Sequence, residues 1–265
     1  MLKDITLGQF FPGDTPVHRL DPRTKILWLI LYIVALFQAV SWWSYALVTA
    51  VTAACMILGH IHPRNIFKGL KPMIFIIALT ALLNLFYTEG TPIVEGWSIT
   101  WEGLARTVQM VLRIVLLITG TFLLTYTTSP LALTDGMERM LNPLKRLHVP
   151  VHEMTMMMSM ALRFIPTLIE ETDKIMSAQK ARGADFETGG LVRRAKALLP
   201  ILVPLFVSAF RRADELAVAM ESRCYHGGEG RTSMKQMKLQ AIDFAALALG
   251  VLYLAGVTVL GRFGL

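Results

Sequence analysis

Two arginines sit between small side chains, each at the end of a stretch with helical periodicity: Ala181-Arg182-Gly183 within SAQKARGADF, and Ser222-Arg223-Cys224 within AMESRCYHGG. A guanidinium is a planar, permanently charged fork that binds a carboxylate or phosphate through two parallel hydrogen bonds. Alanine, glycine, serine and cysteine beside it let a partner's surface approach closely. An arginine in a last helical turn also complements the helix macrodipole, worth roughly 0.3–1 kcal/mol when exposed. That accounts for one such residue, but the matched small flanks of two favour docking. The surroundings repeat as well. Aligned from Asp173 and Asp214, DKIMSAQKARG and DELAVAMESRC agree in kind at six of eleven positions, including Asp nine residues before Arg and Ala178 or Ala219 four before it. Two similar arms imply two similar receptors.

Other chemistry is poorly served. An active site would need paired acids, histidines or a nucleophile near one another, and no such constellation is present. The six histidines lack ligand spacing, and no GxxxxGK[ST] phosphate loop occurs. The expectation is therefore a non-enzymatic chain with no catalytic residue, no metal site and no cofactor of its own.

The elements that must hold the arginines in place lie in a chain of 265 residues with a net charge of +7, of which 54% are hydrophobic. That apolar content excludes a nucleic-acid reading of the basic charge. Five apolar runs approach spanning length: 26–40, 45–59, 73–87, 104–126 and 241–260. Trp42 and Trp43, between the first two, suit an interface. The segment 1–25 is polar and turn-rich, unlike a signal peptide. Cys55 and Cys224 suggest neither a disulfide framework nor a metal site. Of the 26 Lys and Arg, four fall in 1–25, three in 62–72 and sixteen in 127–240, whereas 41–44 and 88–103 have none. By the positive-inside rule 1–25 and 127–240 face the cytoplasm. The expected fold is all-α: a polytopic membrane protein with about five transmembrane helices. Its parts are an N-terminal segment (1–25), four membrane helices (26–126), a cytoplasmic stack of amphipathic helices (127–240) and a last membrane helix (241–265).

Within the stack, one helix spans 129–144 with Ser129 as its N-cap. A second begins at Val149, is kinked or restarted by Pro166, and is capped by Gly183. Gly189 and Gly190 mark a turn, and a third helical stretch ends near HGGEG at 226–230. The apolar 198–210 could dip into the bilayer. Met154, Met156, Met157, Met158 and Met160 form a dense, polarisable cluster suited either to filling a core or to a surface that accepts different partners. Arg106 and Arg113 share a face of the fourth span; Arg106 snorkels outward and Arg113 needs a partner. Asn84 is placed to bond to a neighbouring helix. Asp21, Pro22 and Arg23 form a turn cap and interface anchor. His152 with Glu153 reads as solvated. Glu170 and Glu171, with Asp214 and Glu215, read as solvated faces or as intrahelical partners of Lys174, Arg211 and Arg212.

LDPRTK at 20–25, ARG at 181–183 and SRC at 222–224 together resemble the EcfT/CbiQ family, the transmembrane T components of energy-coupling factor (ECF) transporters. The resemblance extends over essentially the whole chain. It implies coupling helices whose Ala181-Arg182-Gly183 and Ser222-Arg223-Cys224 ends insert into two ABC-type ATPase subunits, which bind and hydrolyse ATP. It also implies a membrane-embedded, substrate-binding S component, for which the methionines are a candidate surface, and uptake of a vitamin or other micronutrient. Asp21, Pro22 and Arg23 would link to the cytoplasmic stack. The second copy departs from Ala-Arg-Gly, since Cys224 replaces glycine, which puts its cap geometry in question. A conventional ABC permease lining its own path is the alternative, disfavoured by the few polar residues in the spans.

Overall fold

Inside a bilayer no water is available to backbone N–H and C=O groups, so a spanning segment must satisfy them itself. The computed structural model describes residues 10–88, 90–91, 100–186, 190–227 and 239–262, and among these the regular elements are helices, with no β-strand. In chain order they are α1 (Pro16–Arg19), α2 (Pro22–Gln38), α3 (Trp42–Leu58), α4 (Pro63–Leu70), α5 (Ile74–Tyr87), α6 (Trp101–Thr127), α7 (Pro130–Leu141), α8 (Val151–Ala181), α9 (Leu191–Glu221) and α10 (Ala241–Arg262). Each of the five apolar runs forms a helix. A 3₁₀ turn, Lys71–Met73, joins α4 to α5, and Pro63–Tyr87, Trp101–Thr127 and Ala241–Arg262 are long and apolar enough to cross a membrane. The hairpin of α2 and α3 is shorter, with 17 residues in each arm. Glu89 and Glu95 of the acidic loop, Gly189, and Gly228 to Gly230 of HGGEG lie outside the described residues.

The chain divides into two compact units, the first made of Gly8–Gly136 with Met237–Leu265. Its core is where α2 packs on α10, α6 and α3, burying Tyr32, Ala35, Leu36, Ala39, Tyr45, Val48, Leu116, Tyr253 and Val257. Small residues set the closeness of approach, as expected where lipid gives helices no hydrophobic reason to associate. Gly120 of α6 faces the Tyr32 ring, and Gly250 of α10 faces Trp28. Some buried polar atoms are bonded within the bundle, whereas the hydroxyls of Tyr45 and Tyr253 are buried without a hydrogen-bond partner among the described residues. The Tyr32 hydroxyl donates to the Leu116 carbonyl (2.9 Å) and pairs with the Thr52 hydroxyl (3.0 Å), while Trp28 Nε1 donates to the Ala246 carbonyl (3.0 Å). Asn84 donates to the carbonyl of Thr80 on its own helix and reaches Met110 Sδ on α6.

Arg113 finds its partner in the hairpin tip. Its Nη2 donates to the Ala39 carbonyl at 3.0 Å, and its guanidinium lies over the rings of Phe37 and Tyr45, 5.9 and 5.8 Å from their centroids. A carbonyl left free where α2 ends is thereby satisfied, and two aromatic faces shelter the cation. Arg106 is exposed.

The segment LDPRTK closes the other end of this unit. Asp21 caps α2 by accepting from the Arg23 amide (2.9 Å), with Pro22 at the first helical position. Asp243, only 1% exposed, accepts from the Asp21 amide (2.9 Å) and the Gln240 amide (2.8 Å), tying the starts of α2 and α10 together. Lys25 donates to the carbonyls of His18 (3.2 Å) and Thr127 (2.8 Å), placing a cation at the C-terminus of α6. Pro22 also stands against Gly136 of α7.

The second unit is built on Met137–Gln236. Its α8 and α9 pack on each other and have 31 residues each, so either spans about 46 Å at 1.5 Å per residue. Pro166 does not restart α8, and Pro200 and Pro204 lie inside a continuous α9, so 198–210 is the middle of a helix and not a separate segment. A proline removes one backbone bond and strains one turn; the turns on either side remain intact. The expected first helix of the stack ends earlier, at Leu141, and continues as a 3₁₀ turn to Leu147. His152 is not simply solvated: its Nδ1 pairs with Glu138 Oε1 at 2.8 Å, joining α8 to the end of α7.

A methyl added at Gly120 would lie 2.5 Å from Tyr32 Cε1, inside contact distance of a ring held by two hydrogen bonds. Gly120→Ala is expected to cost about 1–3 kcal/mol, the range for overpacking a filled core. Thermal unfolding of the detergent-solubilised protein, followed by tryptophan fluorescence, should show a lowered midpoint.

Candidate functional site

A helix leaves its last carbonyls without intrahelical partners, and an abrupt stop requires the chain to reverse and supply other donors. At the end of α8 the Ala184 amide donates to the Gln179 carbonyl and the Gly183 amide to Lys180, both at 3.0 Å, with Gly183 at φ +85°. This is the Schellman closure, in which a left-handed residue turns the chain back over the last turn. At the end of α9 the Tyr225 amide donates to Met220 (3.0 Å) and the Cys224 amide to Glu221 (2.9 Å), with Cys224 at φ +55°. Every donor and acceptor of the second closure has its counterpart in the first, at the same offset that separates Arg223 from Arg182. The question raised by Cys224 is therefore answered: it adopts the glycine conformation, and the cap geometry is the same in kind.

Arg182 and Arg223 thus occupy equivalent places, the last residue before the left-handed turn. Both are exposed, as are Ala181, Gly183, Ser222 and Cys224. Among the described residues neither guanidinium makes a hydrogen bond or ion pair. The Ser222 hydroxyl is turned inward, donating to the Val218 carbonyl at 2.7 Å, and does not compete for the arginine. What the fold presents twice is a helix end flanked by small side chains, with a five-donor cation that makes no bond among the described residues.

Behind the two ends, α8 and α9 meet through charge. Glu171 of α8 accepts from Arg212 Nη2 of α9 at 2.9 Å and from the Ser208 hydroxyl, one helical turn earlier on α9. The Ser208 bond holds the Glu171 carboxyl below the ordinary glutamate range; burial opposes it, and the Arg212 bond, the Arg212 charge and the Lys174 charge add to the lowering. Glu171 and Arg212 are interhelical partners, correcting the reading of them as solvated or intrahelical. Local spacing could not reveal two partners on different helices; the only signal was that their positions share one register of the repeat.

The methionines lie at the opposite end of α8. Met154, Met157 and Met158 are exposed and spaced to share one face, while Met156 and Met160 are half-buried. Arg182 stands 182 − 154 = 28 positions beyond Met154 along the same helix, about 42 Å away at 1.5 Å per residue. Asp21, Pro22 and Arg23 belong to the other unit, where Asp21 binds α10 through Asp243 and Pro22 meets Gly136. No group of three metal-ligating side chains occurs among the described residues.

A family model described as CbiQ, cobalt transport protein, matches residues 13–234. The chain is 53% identical over 265 residues to a protein of Thermosediminibacter oceani, covering 99% of both chains. It is 52% identical over 266 residues to one of Clostridium kluyveri, covering 99% of this chain and 98% of the relative. It is 50% identical over 240 residues to one of Bacillus subtilis, covering 89% and 91%. Each of the three is named energy-coupling factor transporter transmembrane protein EcfT.

The left-handed Cys224 generates a direct test. An L-residue with a side chain loses roughly 1–2 kcal/mol in adopting this conformation, and glycine does not. Cys224→Gly should firm the last turn of α9 and slow amide exchange there by about five-fold, a factor corresponding to ~1 kcal/mol. Cys224→Val should do the reverse. Hydrogen–deuterium exchange of a peptide ending at Tyr225 checks both.

Proposed function

The chain belongs to the CbiQ family of cobalt transport proteins, together with the EcfT transmembrane proteins, and from that membership we propose that it is the energy-coupling subunit of an ECF-type importer. In this reading Arg182 docks into one ABC-type ATPase subunit and Arg223 into a second. Movement driven by ATP in those subunits passes along α8 and α9 to a membrane-embedded S component that holds a vitamin or other micronutrient. The chain itself hydrolyses nothing, binds no cofactor and supplies no catalytic residue. The basic residues of 1–25 and 127–240 favour the cytoplasmic side of a prokaryotic cell membrane for those segments, where ATP is available.

One observation carries the proposal: two helix ends closed by the same backbone bonds, each presenting an exposed arginine that is unpaired among the described residues and flanked by small side chains. A cation kept only to suit a helix dipole needs neither the small neighbours nor the repetition. A socket on a partner uses both, because close approach removes water from the guanidinium and strengthens its bonds to a carboxylate. The exposed face of Met154, Met157 and Met158 is assigned to the S component, since flexible thioethers repack against differing apolar surfaces.

Two measurements bear on these assignments. Arg182→Ala or Arg223→Ala is expected to weaken capture of purified ATPase subunits by about 2 kcal/mol or more, the cost of truncating a buried charge pair and roughly 30-fold in affinity. The lysine variants should also bind poorly, because a point charge cannot replace the fork. Normal assembly of the double alanine variant would refute the docking assignment. Separately, alanine at Met154, Met157 and Met158 should reduce retention of the S component at an unchanged melting temperature, because these side chains are exposed in the chain alone; full retention would remove the methionines from the interface.

A further inference from the structure

The crossing of α8 and α9 has a symmetry that the docking ends inherit. Glu171 precedes Arg182 by 182 − 171 = 11 positions, and Arg212 precedes Arg223 by 223 − 212 = 11. The two partners of the ion pair are thus equivalent positions in the repeat, one acidic and one basic. Contact between equivalent positions is what a two-fold axis through a crossing point produces. Beyond the crossing each helix continues for the same length, about 16 Å at 1.5 Å per residue. Every proline of the two helices lies before it: Pro166 in α8, Pro200 and Pro204 in α9. The segments 172–182 and 213–223 contain neither proline nor glycine and end in the same closure.

We propose that Glu171, Arg212 and Ser208 form a fulcrum, on a local pseudo-two-fold axis, that fixes two equal helical arms so that Arg182 and Arg223 engage a pair of ATPase subunits simultaneously. The proposal rests on the docking reading and adds to it. These three are positioning residues, touching neither receptor. Two ends at a fixed separation bind a paired receptor with far higher affinity than either end alone, by about 10²–10⁴ when the geometry matches, and lose that gain when the separation wanders. Packing along α8 and α9 sets their overall fit, and a charge-assisted bond at the crossing adds one directional contact to it. A carboxylate held by a guanidinium and by a hydroxyl one turn away on the same helix marks a single register.

The test uses the full chain in lipid nanodiscs with its two native cysteines changed to serine. Spin labels at the equivalent positions Ala178→Cys and Ala219→Cys report the separation of the arms without any partner. Glu171→Gln should broaden the distance distribution, Ser208→Ala should broaden it less, and the exchanged pair E171R/R212E should restore it. Capture of the nucleotide-loaded ATPase pair should weaken at least about ten-fold in Glu171→Gln, a partial loss of the avidity gain, and recover in the exchanged pair. In an Arg223→Ala background, where one end remains, Glu171→Gln should have no additional effect. An unchanged distribution in Glu171→Gln, failure of the exchanged pair to restore it, or an equal loss of capture in the one-ended background would overturn the fulcrum. If instead the arginine variants bind normally, the docking reading fails, while the label distances still judge the crossing.

Discussion

The last turn of a helix has carbonyls and no donors, and the two long helices of the second unit meet that constraint in the same way. In both, the chain reverses through one left-handed residue, Gly183 or Cys224, and the amides beyond it bond back onto the turn. The reversal fixes where the preceding arginine stands. Beside it the Ser222 hydroxyl points away, bonding to the Val218 carbonyl. Backbone hydrogen bonding thus places the arginine, and its small neighbours leave room for a partner. Cys224 shows how strongly the closure is demanded, because a residue with a side chain adopts a conformation that glycine occupies more readily.

Charge in the membrane-spanning unit follows a related rule. Ionised side chains at the helix ends are bonded to backbone groups that the helices leave open. Asp243 takes the amides of Asp21 and Gln240, Lys25 takes the carbonyls of His18 and Thr127, and Arg113 takes the carbonyl of Ala39. Most of these bonds join elements distant in sequence, so the same contacts that offset the cost of burying a charge also set which helices are neighbours. Between these two polar ends the packing relies on small residues: Ala35, Ala39, Gly120 and Gly250 let rings such as Tyr32 and Trp28 lie close.

Much of this was legible in the sequence where the cause is local. Runs of apolar residues near spanning length marked out the five apolar helices of the first unit. Ser129 caps α7 by accepting from the Ala132 amide, and Gly183 ends α8, because capping depends on residues a few positions apart. The need of Arg113 for a partner was evident from its place in an apolar run. The partner itself, the Ala39 carbonyl on another helix, was not. Pro166 left a kink and a restart both open on local grounds, and α8 runs through it without restarting. His152 and Glu138 gave no separate sign of each other, and their pairing depends on the turn between α7 and α8.

The sequence by itself determined that this is an all-α membrane protein with two matched arginine ends, because span length, charge distribution, caps and the repeated arginine segment are all written within short windows of chain. Only the tertiary structure decided that Cys224 takes the left-handed place of Gly183, that Asp243 near the end of the chain answers Asp21 near its start, and that Glu171 meets Arg212 at the crossing. The first rests on how the amides of Cys224 and Tyr225 bond back onto the last turn of α9; the other two rest on which helices pack together and in what register, and register is set by the summed fit of many side chains and not by any one segment's own preference.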